Sequence, residues 1–100
     1  MSRTRTPVEV FPPGVFIRDE LEARGWTQKD LAAVLGRPLQ LVNELVNGKK
    51  RLTAETAKQL AAAFGTSPEL WLNLENAYRL ATSEDADPAI TKRADELAHA

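Results

Sequence analysis

The sequence predicts an all-α fold of five helices, and its C-terminal end is compatible with a short sixth helix. Apolar residues recur at every third or fourth position in five successive segments, which is the spacing of a buried helix face. Threonine, serine or proline precedes these segments and glycine follows most of them, as is typical of helix ends. The chain has no convincing pattern of a strand ladder.

Residues 13–24 and 28–35 form the first two predicted helices. Pro13 suits a first helical turn, where the N–H that proline lacks would have no intrahelical partner. Gly25 can adopt the left-handed conformation that ends a helix. Thr27 is a good N-cap for the second helix, and an aspartate three residues later supplies a short version of the capping-box acid.

The third predicted helix covers residues 38–46. Gly36 allows the sharp turn that leads into it, and the fixed φ of Pro38 suits its first position. Asn47-Gly48 stops the helix and forms a turn. Its inward side carries Val42, Leu45 and Val46.

Two further helices are predicted after the turn. Thr53 caps a helix over 54–64, whose apolar residues follow the i, i+3, i+4, i+7 pattern. A proline-containing start signal then precedes a helix over about 68–81. The acidic segment 82–100 follows, and its residues 89–98 are compatible with the short sixth helix.

Length and composition bound the function. One hundred residues correspond to one domain, which we divide into an extended arm (1–12), a helical domain (13–81, with its central motif at about 27–46) and the acidic segment (82–100). The chain has no cysteine and its single histidine is His99, so we expect no disulfide, metal or cofactor. It lacks a membrane-length apolar run and a signal-like start, so we expect a cytoplasmic protein. No catalytic constellation is present, so we expect no enzyme.

Charge is distributed unevenly although the net charge is only −1. Residues 24–58 carry seven Lys/Arg against three Asp/Glu, whereas residues 69–100 carry three against seven. A basic middle beside an acidic end favours a polyanionic partner for the middle segment. The acidic end is by default a solvated surface, and the alternative is a contact for a basic protein.

The basic segment contains a helix-turn-helix pattern over Trp26 to Arg51, a motif that places its second helix in the major groove of DNA. The outward residues of that helix are the candidate base contacts, and amide or carboxylate groups there can pair with adenine or cytosine. These candidates are Leu39, Gln40, Asn43 and Glu44. Ordinary surface polarity is the alternative for the same side chains.

Other residues of the motif are candidates for holding the phosphate backbone. The N-terminus of the second helix favours anions through its N–H groups and dipole, and the loop after the third helix is basic. The candidate phosphate contacts are Thr27, Gln28, Arg37, Asn47, Lys49, Lys50 and Arg51. A solvated loop is the alternative for the last three.

Several segments together resemble a known family. TQKDLAAVLG, VNELVNGKKRL and GTSPELWLNLENAY, with FPPGVFIRDEL before them, are similar to the lambda-repressor-like (Xre) helix-turn-helix family and, within it, to the HigA antitoxins. The resemblance covers about residues 11–80. It implies a five-helix DNA-binding domain, a homodimer on a near-palindromic operator, repression of the protein's own promoter, and neutralisation of a RelE-like ribonuclease toxin, HigB.

The chain departs from the family's pattern at the start of the third helix. Arg37-Pro38 stands where many members have a valine–serine pair, so the serine cap is lost and Arg37 offers a charge instead. The run from Pro38 to Leu41 is also unusually apolar for a base-reading edge. Both departures bear on which bases are read.

Three residues of the fifth helix are candidate dimer contacts. They share one apolar side, and aromatic rings with a polar tip suit interfaces as well as cores. They are Trp71, Leu74 and Tyr78.

The alternative functions are a stand-alone phage-type Xre regulator and a protein-interaction module. The identity of the neighbouring gene would distinguish them from an antitoxin.

Overall fold

A computed structural model describes residues 10–99, and within that range it contains six helices and no strand. The helices are α1 (Pro13–Arg24), α2 (Gln28–Leu35), α3 (Leu39–Val46), α4 (Ala54–Phe64), α5 (Pro68–Thr82) and α6 (Pro88–Ala98). The predicted all-α class is confirmed, and the sixth helix is present. Most of the predicted arm lies outside the described residues, and residues 10–12 have no regular secondary structure.

Local side-chain caps explain where α2, α4 and α5 begin. The Thr27 Oγ1 accepts a hydrogen bond from the Asp30 N–H at 3.1 Å, and the Asp30 carboxylate accepts one from the Thr27 N–H at 2.8 Å. This reciprocal pair is the predicted capping box of α2. Thr53 and Ser67 cap α4 and α5 without the reciprocal bond, each accepting from a backbone N–H three residues on.

The predicted role of Pro38 is wrong by one position. Its ψ of 146° is extended, so Pro38 is the N-cap of α3 and not its first helical residue. It offers no side-chain cap, although its carbonyl accepts a hydrogen bond from the Leu41 N–H at 3.1 Å. Helix α3, the predicted DNA-contacting helix, therefore begins at Leu39, and its first turn has a backbone hydrogen bond but no side-chain cap.

Helices α1 to α5 enclose one hydrophobic core. Trp71 is only 1% exposed, and its ring lies 5.8 Å from that of Phe64, which in turn lies 6.0 Å from Trp26. The Trp71 Nε1 donates a hydrogen bond to Thr66 Oγ1 at 2.8 Å, so its polar tip is satisfied inside the protomer. The prediction that Trp71 contacts a second protomer is therefore wrong, because almost none of its surface is accessible.

The start of α1 lies directly on the end of α3. Gly14 is buried, and a Cβ atom added to it would lie 2.1 Å from the Val46 carbonyl oxygen and 2.8 Å from that of Leu45. Only glycine permits this separation, since any other side chain would overlap the backbone. The FPPG segment therefore seats α3 through a backbone-to-backbone contact.

Helix α6 projects from the rest of the molecule. None of its residues is buried, and its Leu97 is 80% exposed. The radius of gyration is 17.8 Å, against about 13 Å for a compact domain of this length. Within residues 10–99, no helix has the length and apolar character needed to cross a membrane.

Candidate nucleic-acid interface

Helices α2 and α3 form the helix-turn-helix and leave an open groove between their N-terminal ends. The groove has a volume of about 600 Å³. It is lined by Thr27, Gln28, Lys29, Leu39, Gln40 and Asn43. The structure thus brings two predicted phosphate contacts and three predicted base contacts to one surface.

Helix α3 divides into a buried side and an exposed side. Leu41, Val42, Leu45 and Val46 are all buried in the core. Gln40 and Asn43 are exposed and Glu44 is half-buried, so Glu44 lies at the border of the predicted base-reading edge. The sequence predicts an apolar run from Pro38 to Leu41 along this edge. Because Leu41 is only 6% exposed and Leu39 is 46% exposed, Leu39 is the main apolar side chain that the edge presents.

A chain of side-chain hydrogen bonds crosses this surface from α1 to α2. The Arg18 Nη2 donates to Asn47 Oδ1 at 3.0 Å, and the Asn47 Nδ2 donates to Asn43 Oδ1 at 3.1 Å. The Asn43 Nδ2 then donates to Gln28 Oε1 at 3.2 Å. Two predicted phosphate contacts and one predicted base contact are therefore linked, with Arg18 at one end.

Arg37 faces helix α4. Its Nη1 donates a hydrogen bond to Gln59 Oε1 at 3.0 Å and lies 3.9 Å from the Glu55 carboxylate. A guanidinium has five N–H donors, so this contact uses only part of its capacity. Phosphate binding by Arg37 stays a prediction, and it would draw on the remaining donors.

The basic loop after α3 is hydrogen-bonded to α5 through the buried carboxylate of Glu75. Lys49, Lys50 and Arg51 are exposed, whereas the next residue, Leu52, is buried. The Leu52 N–H donates to Glu75 Oε1 at 3.1 Å, and Glu75 is only 4% exposed.

Two arginines complete the surroundings of this carboxylate. The Arg79 Nε donates to Glu75 Oε2, and the Arg51 Nε lies 3.9 Å from the same oxygen. The bonds to a backbone N–H and to arginine balance the buried charge, which would otherwise be strongly destabilising. Glu75 thereby anchors the C-terminal end of the loop, whose three cations, Lys49 to Arg51, directly follow α3.

Sequence reasoning missed Arg18 and Glu75. Arg18 is 29 residues from Asn47, and Glu75 is 23 residues from Leu52, so no local pattern pairs them. An acid at a core-facing position of α5 was the one signal that could have singled out Glu75, because buried carboxylates need partners. Among residues 10–99, no group of three His, Asp or Glu side chains is arranged to hold a metal ion.

Comparison with known proteins gives the same motif. A family model described as helix-turn-helix matches residues 17–71, more than half of the chain. Antitoxin HigA-1 of Vibrio cholerae is 44% identical over 77 residues, an alignment that covers 76% of this chain and 70% of the relative.

Solved structures agree in fold. An addiction module antidote protein of the HigA family from Coxiella burnetii superimposes with a TM-score of 0.69 at 38% identity, covering 73% of this chain and 80% of that chain. The Pseudomonas aeruginosa antitoxin HigA, solved with the higBA promoter, gives a TM-score of 0.70 at 29% identity and covers 91% of this chain and 94% of that chain.

Proposed function

This chain belongs to the helix-turn-helix family and, within it, to the HigA-type antitoxins, and from that premise we propose that it represses its own promoter and neutralises a RelE-like ribonuclease toxin. One observation carries the DNA-binding half. The exposed amides of α3 line the α2–α3 groove, and a basic loop directly follows this helix.

The chemistry of the groove suits recognition of bases. Gln40 and Asn43 are exposed, and a side-chain amide can donate to adenine N7 while accepting from adenine N6. Leu39 is 46% exposed, and it can contact a thymine methyl group. Glu44 is half-buried and negatively charged, so among the four candidates it is the least suited to approach DNA.

We expect Gln40→Ala to relax sequence preference at one base pair of each half-site. The loss of a bidentate amide–base contact should reduce discrimination at that position by about 5- to 150-fold. Selection of bound duplexes from a random pool measures this, with Lys92→Ala on α6 as a control that should leave the preference unchanged. Identical preferences for Gln40→Ala and the unaltered protein would place base readout elsewhere.

The proposed phosphate contacts lie in two segments, the start of α2 and the loop after α3. Thr27 and Gln28 stand at the N-terminus of α2, and Lys49 to Arg51 stand in the exposed loop beyond α3. Helix N-termini and lysines both favour phosphate oxygens and read no sequence. Asn47 caps the end of α3 between the groove and the loop, and Arg37 is turned toward α4.

Helix α5 supports a two-fold dimer. Leu74 and Tyr78 remain half-buried, so part of each predicted dimer contact is accessible. Residues at i, i+4, i+7 and i+11 share one side of a helix, and on α5 this line is apolar and mostly exposed. It consists of Leu70, Leu74, Ala77 and Ala81. Two copies of this stripe would pair about a two-fold axis, as most homodimers do.

Ala77→Arg is expected to raise the dimer dissociation constant by about a hundredfold or more. The side chain is exposed in the protomer, but a two-fold contact would place each new cation near its own copy, at a cost of several kcal/mol. Sedimentation equilibrium measures the change. Asn76→Arg, which adds the same charge off the stripe, is the matched control, and equal behaviour of the two variants would move the interface away from α5.

Neutralisation of a toxin is supported by the relationship to HigA-1 and by the acidic end of the chain. Residues 82–99 carry five acids against two bases, and three of the acids lie in the exposed segment just before α6, at Glu84, Asp85 and Asp87. Such a surface suits a basic protein partner. Co-purification with the product of the neighbouring gene, and rescue of growth when both are expressed, test this half. Failure of both leaves a stand-alone regulator.

A further inference from the structure

We infer that Arg18 is a positioning residue for base recognition, which sets the direction of the amides that face DNA. This inference rests on the proposed DNA-binding function and assigns a role to a residue on α1, outside the helix-turn-helix. Its basis is the hydrogen-bonded series from Arg18 through Asn47 and Asn43 to Gln28.

The series has a direction because arginine can only donate. An amide has a donating nitrogen and an accepting oxygen and can be turned either way, but a guanidinium offers no acceptor. Arg18 must therefore meet the oxygen of Asn47, which it does at 3.0 Å. The Asn47 nitrogen is then left to donate to Asn43 Oδ1, at 3.1 Å.

The direction passes on to the last two amides. With its oxygen accepting from Asn47, Asn43 has its nitrogen toward α2, where it donates to Gln28 Oε1 at 3.2 Å. Gln28 accepts through its oxygen, so its nitrogen remains available to donate to a group outside the protein at the N-terminus of α2. An outward donor matches a phosphate, which only accepts, whereas a reversed series would present an oxygen to the phosphate and repel it.

Asn43 keeps the groups that a base contact requires. Its oxygen has two acceptor sites and its nitrogen two N–H groups, and the series uses one of each. The remaining acceptor site and N–H are of the kinds that a bidentate contact with adenine N6 and N7 uses. Fixing the amide in one orientation before binding should favour that contact over a base with the opposite pattern.

The test separates this positioning role from a direct phosphate contact. Asn43→Ala first identifies, in duplexes selected from a random pool, the base pair that Asn43 reads. Arg18→Met, which keeps length and removes every donor, should reduce discrimination at that same base pair by about fivefold or more. Arg18→Lys, which is also donor-only, should retain discrimination within about twofold of the unaltered protein.

The salt dependence of binding provides the second readout. A lost phosphate contact makes the slope of log K against log[salt] less negative by about 0.9. Arg93→Met, on α6, removes the same charge away from the proposed interface and serves as the control. Arg18→Met should give the same slope as this control. A slope reduced relative to that control overturns the inference, and so does unchanged discrimination in Arg18→Met. If Asn43→Ala alters no preference, the inference also fails while the proposed function stands. Absence of any preference in the unaltered protein would instead refute the proposed function.

Discussion

Gly14→Ala is expected to destabilise the domain by about 3 kcal/mol, the cost of forcing extra volume into a packed site. The added Cβ would lie 2.1 Å from the Val46 carbonyl oxygen and 2.7 Å from its carbon, and both are backbone atoms that cannot rotate away. Alanine gains about 1 kcal/mol over glycine in helix propensity, which is too little to offset such an overlap. Thermal unfolding should shift down by roughly 12–24 °C.

Gly65→Ala is the matched control for this prediction. Gly65 ends α4 with a φ of +70°, and an added Cβ there would meet nothing within 4 Å. Its substitution should cost only about 1–2 kcal/mol, from backbone strain in the left-handed region. Equal losses at Gly14 and Gly65 would show that α1 does not lie on the end of α3 as described.

Lys49→Ala combined with Lys50→Ala should weaken DNA binding to all sequences alike. Two lost phosphate contacts should make the slope of log K against log[salt] less negative by about 1.8. If the variant and the unaltered protein bind equally at about 1 M salt, the variant should therefore bind about 60-fold more weakly at about 0.1 M salt. Fluorescence anisotropy on a labelled promoter duplex, titrated across salt concentrations, measures both quantities. Sequence preference should be retained, because phosphate contacts read no bases.

The matched control removes two charges from α6 through Lys92→Ala and Arg93→Ala. This helix has no buried residue and projects from the domain, so its cations lie outside the proposed interface. The control should leave the slope close to that of the unaltered protein. If the loop variant keeps the original slope, Lys49 and Lys50 are solvated side chains and not phosphate contacts.

The helices could be predicted from sequence because their ends are determined locally. Thr27 with Asp30, Thr53, and Ser67 each cap a helix through contacts within three residues, and these pairs are visible in the sequence. The sequence predicts Pro38 one residue too far into α3, because its fixed φ is compatible with both positions and only its ψ of 146° distinguishes them.

Side-chain roles that depend on tertiary contacts were harder to predict. The apolar spacing of α5 predicts that Trp71 and Tyr78 lie on the same side of the helix, but it does not predict which of them is buried. The packing of Trp71 against Phe64 is what places Trp71 in the core. The contacts of Arg18 and Glu75 join residues more than twenty positions apart, so they follow from the assembled fold. The exposed candidates of α3 are the ones that helical periodicity could predict.

The central claim is that α3 reads DNA as part of a two-fold dimer, and selection of duplexes from a random pool by the unaltered protein tests it most directly. We expect enriched sequences with two inverted half-sites whose centres lie about 34 Å, or one helical turn, apart. Each half-site should lose its preference at one position in Gln40→Ala. Enrichment of no sequence, or of a single half-site without its inverted copy, would contradict the account.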